Sequence, residues 1–459
     1  MKKAKRIIAA LLAACMFSTC AVGTAVTASA DNSVSASAAD NKPVVKAKVL
    51  EGRIVFTWKK VPGATKYRVY KYEDNKLIKT KDTKDHTIIF FDVRPGMKYS
   101  VAVRAYVDGK WTKLTKKDIV TVNAAPVDGE KMLSLWTKDA NAKSALISYI
   151  KAVTVEGSKD YIPVENRIAV FDFDGTLFCE TDPTYVHNLL LQYRILDDPE
   201  YKDKASDFER KVANAMRAVS KENTAGLDMS DIDKAEASAF AGMTLEEYHE
   251  CIQRFKQQPM TSYDGMNRGE SFFRPMIQVI DYLKANNFKV FIVSGSRRYL
   301  LRGILYNSIL DIPNDRVIGT DEVLTATGQN GTEGAEYLFT SSDKLVLNGD
   351  TKQINLMMNK VTAIATDIGQ QPVLSFGNST GDASMANYTI KNNKYKSLAF
   401  MLCCDDTERE NGSTEKADEM YSLCKDNGWI AVSMKIDWKT IYGDGVTYTG
   451  AKAEEKDAA

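Results

Sequence analysis

Residues 166–176 read Asn166-Arg167-Ile168-Ala169-Val170-Phe171-Asp172-Phe173-Asp174-Gly175-Thr176, an apolar strand run ending in Phe171 with two aspartates directly behind it. Open α/β sheets hold their ligands just beyond the carboxyl ends of the strands, and Asp172 and Asp174 fall at such a place. Carboxylates one residue apart leave a loop in different directions. One can act as nucleophile while the other gives and takes a proton, and Gly175 lets the backbone turn so that amides face an anion. The plainer alternative is that both aspartates cap a turn.

Working outward from this stretch, Lys289–Val293, Pro372–Phe376 and Leu398–Leu402 are further compact apolar runs of strand length. Before the first of them, Met276, Val279, Ile280 and Leu283 recur at helical spacing, which predicts an amphipathic helix able to cover a sheet. Strand and helix alternate from about residue 130, so the chain is expected to carry a multi-domain fold with an α/β, Rossmann-like parallel-sheet core. Between about 178 and 272 the sequence is helical and polar, with charged faces such as Tyr201 to Lys221, and lacks strand-like runs. It is expected to form an inserted α-helical cap.

With Asp172-Phe173-Asp174-Gly175-Thr176 behind a strand, residues 130–450 resemble the haloacid dehalogenase-like superfamily, aspartate-nucleophile phosphatases with a helical cap, in a phosphoserine-phosphatase-like branch. The resemblance implies that Asp172 is the nucleophile and Asp174 the acid and base. Gly175 and Thr176 would help bind phosphate. Ser294 and Gly295, after the strand Val290–Val293, match the second motif, which holds the transferring phosphoryl group. The fourth motif lies at Gly377-Asn378-Ser379-Thr380-Gly381-Asp382. The third needs a lysine some twenty residues earlier. Lys360 and Lys352 both qualify, and Lys360 is preferred.

Three aspartates beside a phosphomonoester dianion concentrate negative charge, each close like-charge pair costing about 4 kcal/mol at an effective dielectric near 20. Cations are required. The family pattern implies Mg²⁺ held by Asp172, the Asp174 backbone carbonyl and an acidic group of the fourth motif. Where many relatives carry an aspartate, this chain has Asn378, which can ligate through its amide oxygen but brings no charge, so Asp382 is expected to be the main carboxylate there. The family also suggests Glu180 as a contact for a substrate ammonium. Cys179 is read as a small buried residue. Arg297 and Arg298 could reach a substrate anion or be solvated. His86, His187 and His249 fall in the N-terminal domain and the cap, which gives zinc or histidine-nucleophile chemistry little support.

Upstream, Ile54, Phe56 and Trp58 alternate, Pro62-Gly63 makes a turn, and Tyr67, Val69 and the run Tyr99, Val101, Val103 alternate again. Short period-two segments predict an all-β sandwich over residues 44–124. It resembles a fibronectin type III domain, with Trp58 at the buried tryptophan and Tyr99, in Pro95-Gly96-Met97-Lys98-Tyr99, at the tyrosine corner. No ligand-binding constellation is legible in it, so it is read as a spacer or as a docking module with a possible cell-surface or polymer contact.

Residues 1–30 read as a signal peptide: Lys2, Lys3, Lys5 and Arg6, an apolar stretch, then Ala28-Ser29-Ala30. A secreted or extracytoplasmic protein is expected, with lipid anchoring through Cys15, in Leu12-Ala13-Ala14-Cys15, as the alternative. Residues 31–43 form a flexible tether, and residues 451–459 a disordered tail. No later segment is apolar enough for a transmembrane span. Signal removal leaves Cys179, Cys251, Cys403, Cys404 and Cys424, an odd number that shows no disulfide framework.

Charged side chains are balanced, 61 basic against 60 acidic, which removes the electrostatic case for nucleic acid as a partner. The expected activity is hydrolysis of a small phosphorylated metabolite through an aspartyl-phosphate. Two alternatives stand beside it: a phosphotransferase of the same fold, and a non-catalytic surface adhesion or scaffold protein acting through the sandwich.

Overall fold

The computed structural model describes residues 43–50, 53–73, 76–90, 98–115, 118–121, 127–218, 228–310 and 312–450. The expected signal peptide, the tether up to residue 42, Cys15, the Pro95–Met97 turn and the C-terminal tail lie outside the described residues.

Among the described residues the N-terminal region has eight antiparallel strands: β1 Val45–Leu50, β2 Arg53–Trp58, β3 Ala64–Glu73, β4 Lys76–Thr83, β5 Thr87–Phe90, β6 Lys98–Val107, β7 Lys110–Trp111 and β8 Asp118–Thr121. One sheet runs β1-β2-β5; the other runs β4-β3-β6-β7, with β8 also paired to β6. Period-two alternation sends Ile54, Phe56 and Trp58 of β2 and Ile88 and Phe90 of β5 inward, against Tyr67 and Val69 of β3 and Tyr99, Val101 and Val103 of β6. These side chains from two sheets share one core, so the sheets pack face to face. Trp58 meets Tyr67 edge to face, with centroids 5.6 Å apart. The Tyr67 hydroxyl accepts a 2.9 Å bond from the Val61 amide. Tyr99 is fully buried, its ring 5.3 Å from that of Phe90.

Two helices, α1 Gly129–Met132 and α2 Asn141–Thr154, lead into β9 Ile168–Phe171. Four helices follow: α3 Val186–Leu196, α4 Asp207–Arg217, α5 Met229–Phe240 and α6 Leu245–Phe255. Helices α4 and α6 start from capping boxes, Ser206 with Glu209 and Thr244 with Glu247, which satisfy amides no helical carbonyl can reach. The chain returns through β10 Tyr263–Asp264, α7 Arg274–Ala285, β11 Lys289–Arg297, α8 Arg298–Leu305, β12 Val317–Ala326, β13 Leu345–Gln353, α9 Met358–Ala363, β14 Leu374–Gly377, α10 Ala383–Ile390, β15 Leu398–Cys403, α11 Thr414–Asn427, β16 Ile430–Ser433 and β17 Thr447–Tyr448.

The core sheet has seven strands in the order β13-β12-β11-β9-β14-β15-β16. All neighbours pair parallel except β12 and β13. The sheet is therefore mixed, where the sequence predicts a parallel one. Strands β12 and β13 escape a reading based on apolar runs because their outer halves are only partly covered and carry polar residues such as Asp321-Glu322. Central β9 is buried at all four positions, as a strand covered on both faces must be.

The segment expected to lack strands holds the short β10, paired with β17. The two linkers of the helical insertion also run side by side: Phe178 bridges Phe272, the Cys179 amide donates to Ser271 O and the Phe273 amide to Leu177 O, each of these bonds 2.9 Å. Cys179, Cys251, Cys403 and Cys424 are buried, Cys404 is half-buried, and none of the five is in a disulfide. Among the described residues no helix is long and apolar enough to cross a membrane.

Candidate active site

Strand β9 ends at Phe171, and the next residue is locked to the neighbouring strand, the Asp172 amide donating to Phe376 O at 2.9 Å. The chain then turns tightly, Gly175 donating to Phe178 O at 2.7 Å and Thr176 to Phe173 O at 3.2 Å. Gly175 has φ +72°, a left-handed conformation a side chain would strain. A Cβ there would also lie 2.0 Å from Asn378 Nδ2 and 2.5 Å from the Glu180 carboxyl carbon. The turn thus needs glycine for its conformation and for the space that two other site residues fill.

Asp172, Asp174, Ser294, Lys360 and Asp382 are all nearly fully buried, the aspartates following β9 and β14 and Ser294 lying in the second half of β11. Lys360, on α9, donates 2.6 Å to Asp172 Oδ1 and also to Asp382 Oδ1. Lys352, the other candidate, is exposed on β13. Ser294 lies one strand from Asp172, and its Oγ accepts the Ser296 amide at 3.1 Å. Leu356 packs over Gly295, its Cδ2 2.7 Å from where a Cβ would stand.

The second aspartate has its own surroundings. Asp174 Oδ2 accepts 2.6 Å from Ser296 Oγ. Its carboxyl also lies near the Val186 backbone, at the start of α3, and near His187. Asp174 Oδ1 is buried without a hydrogen bond. Sequence reasoning missed Ser296 and His187. Ser296 was findable, since residues 294 and 296 of one strand share a face; nothing in the sequence brings a cap histidine to Asp174.

Three expectations change. Asp382 does not offer a free carboxylate edge: Oδ1 takes Lys360, and Oδ2 takes the amides of Asn378 at 3.0 Å and Ser379 at 3.1 Å. It is the counter-charge of Lys360 and the brace of its own loop. Thr176 is fully buried, and its hydroxyl donates to Asn378 Oδ1 at 3.3 Å, so it supports the fourth motif where a phosphate contact is expected. Asn378 in turn donates through Nδ2 to Glu180 Oε1 at 2.9 Å. The arginines after the second motif are neither solvated nor free for an anion. Arg297 pairs with Glu236 of α5, and Arg298 with Asp321 and Asp367.

Burial and the nearby Asp382 push the Asp172 carboxyl well above its ordinary range, partly opposed by Lys360. Burial likewise raises Asp174, and burial with the Asp174 charge pushes Glu180 up to about 7. Lys360 is held charged because the two aspartates outweigh its own burial. Four carboxylates against one ammonium, with an orphaned buried oxygen among them, is a donor set that fits a hard divalent cation. Among the described residues no three acidic, histidine or cysteine side chains form a cage by themselves, so a cation here would be held by Asp172 together with oxygens such as the Asp174 carbonyl and the Asn378 amide.

No curated protein matches the chain. A structure of a conserved protein of unknown function from Anaerococcus prevotii is 15% identical, covering 64% of this chain and 93% of that one, with a TM-score of 0.38. Cytosolic 5'-nucleotidase IIIB bound to cytidine is 12% identical over 67% of this chain and 92% of its own, also with a TM-score of 0.38. A Fn3-like protein from Clostridium thermocellum is 22% identical, covering 19% of this chain and 99% of that one, with a TM-score of 0.16. Residues 169–386 match the family model of the haloacid dehalogenase-like hydrolases, and the chain thus carries a hydrolase domain of that kind.

Proposed function

We propose that this domain is a Mg²⁺-dependent phosphatase that hydrolyses a small phosphomonoester through an aspartyl-phosphate on Asp172. The supporting observation is the bridge from Lys360 to both Asp172 and Asp382, in a pocket where Asp174 stands beside Ser296. Lys360 holds Asp172 Oδ1, which favours the ionised nucleophile against the burial and the Asp382 charge that disfavour it, and leaves Oδ2 to attack phosphorus in line. As the P–O bond to the leaving group breaks, Asp174, whose hold on a proton burial strengthens, gives that proton to the leaving oxygen. Asp174 then takes a proton from water, whose oxygen attacks the aspartyl-phosphate, releasing inorganic phosphate and restoring Asp172. Ser294 Oγ–H and the Gly295 amide are the donors for the equatorial oxygens. The bound Mg²⁺ would neutralise phosphoryl charge and fix its orientation.

The N-terminal sandwich is read as a fibronectin type III-like module that spaces or docks the enzyme at a cell surface or polymer, and residues 1–30 as an export signal. The partner is a small phosphorylated metabolite. Phosphate release from p-nitrophenyl phosphate tests the reading: it should vanish in Asp172→Asn and with chelator, and undiminished release in that variant sinks it.

A further inference from the structure

Asn378 stands where the family pattern has an acidic ligand, and a neighbour can supply the charge it lacks. Its amide is oriented by two bonds: Nδ2 donates to Glu180 Oε1 at 2.9 Å and Oδ1 accepts from Thr176 Oγ1 at 3.3 Å. Glu180 as a carboxylate only accepts, so the amide nitrogen faces Glu180 and the amide oxygen faces Thr176. Gly175 makes the contact possible, since a Cβ there would lie 2.0 Å from Asn378 Nδ2 and 2.6 Å from Glu180 Oε2. Nearby, the nine-tenths buried Asp174 keeps Oδ1 without a partner, while Lys360 is occupied between Asp172 and Asp382. Four carboxyl groups, those of Asp172, Asp174, Glu180 and Asp382, therefore share one buried ammonium, and Glu180 is not among the two that Lys360 reaches.

We propose that Glu180 is a positioning residue for the divalent cation: by accepting the Nδ2–H of Asn378 it leaves the amide oxygen as that side chain's ligand atom and returns, one hydrogen bond away, the negative charge that an aspartate at 378 would have brought. Partners of this kind set both the direction and the basicity of a ligand, and their loss typically weakens metal binding about 10- to 100-fold. The inference rests on the Mg²⁺ reading above and assigns Glu180 to the cation in place of a substrate ammonium.

The test is a titration of the full chain with Mn²⁺, read by the loss of the free-ion electron paramagnetic resonance signal, with circular dichroism to verify folding. Glu180→Gln, close to isosteric, is expected to bind Mn²⁺ about tenfold or more weakly. Adding Asn378→Asp to it should bring affinity back to about the wild-type value, because the charge is moved and not removed. Equal affinity in Glu180→Gln and wild type overturns the proposal, as does a folded double variant that stays weak. Wild-type chain that takes up no Mn²⁺ overturns the metal reading as well, and that result is seen before any variant is compared.

Discussion

Lys360 lies 2.6 Å from Asp172 Oδ1, and the two groups, 188 positions apart in the chain, are both shut away from solvent. The lysine also holds Asp382, so one ammonium joins the end of β9 to the loop after β14. Electrostatics gives the reason: without that cation two buried carboxylates would face each other with their hydration stripped off.

Replacing the lysine should therefore hurt twice. Lys360→Ala leaves both aspartates uncompensated and is expected to cost about 3–5 kcal/mol of stability, while phosphate release falls roughly 100-fold or more. Lys352→Ala, on the exposed strand, should change both by little. Denaturant melts and p-nitrophenyl phosphate assays of the two variants decide between them.

Ser296 gives Asp174 Oδ2 its side-chain hydrogen bond. Its hydroxyl stabilises the carboxylate, so Ser296→Ala should raise Asp174 further, delay its return as a base and lower kcat about tenfold, in line with the roughly 1.5–3 kcal/mol of a charged hydrogen bond. KM should hardly move. A variant whose kcat matches wild type would remove Ser296 from the mechanism.

Arg297 on β11 and Glu236 on α5 form a two-pronged pair between the sheet and the helical insertion. Removing either partner alone should destabilise by about 3–5 kcal/mol, whereas the double replacement Arg297→Met with Glu236→Met should recover much of the loss. A double-mutant cycle on thermal melts measures the coupling, and a value near zero would mean the pair does not tie the insertion down.

Glu322, beside that pair, is pushed up to about 7 by burial and by Glu236, with Arg297 opposing. The folded state then binds a proton more tightly than the unfolded state, whose carboxyl titrates near 4.5. Stability from this group is complete below about 4.5 and is lost as pH rises through about 7. Glu322→Gln should thus raise the melting temperature at pH 8, by an amount equivalent to about 1–3 kcal/mol, and do little at pH 4. Equal gains at both pH values would show that the charge is not what matters.

Local order in the chain made the α/β core, β9 and the aspartate pair legible: an apolar strand buried on both faces announces itself as a run, and the groups behind it can only stand at its carboxyl end. The edge hairpin β12–β13 stayed hidden because half-covered strands carry polar residues and mimic loops. Lys360 could be narrowed to two positions by spacing, but choosing between them took burial.

Residue order by itself determined which chemistry the site could host, since carboxylates, a serine and a lysine behind successive strands are facts of composition and spacing. Only the tertiary structure decided how these groups are spent: Asp382 on the lysine, Thr176 on Asn378, Asn378 on Glu180, Ser296 on Asp174. Hydrogen bonds are short-ranged and directional, so which donor meets which acceptor depends on the ångström-scale placement of segments up to two hundred residues apart, and no local pattern in the chain encodes that.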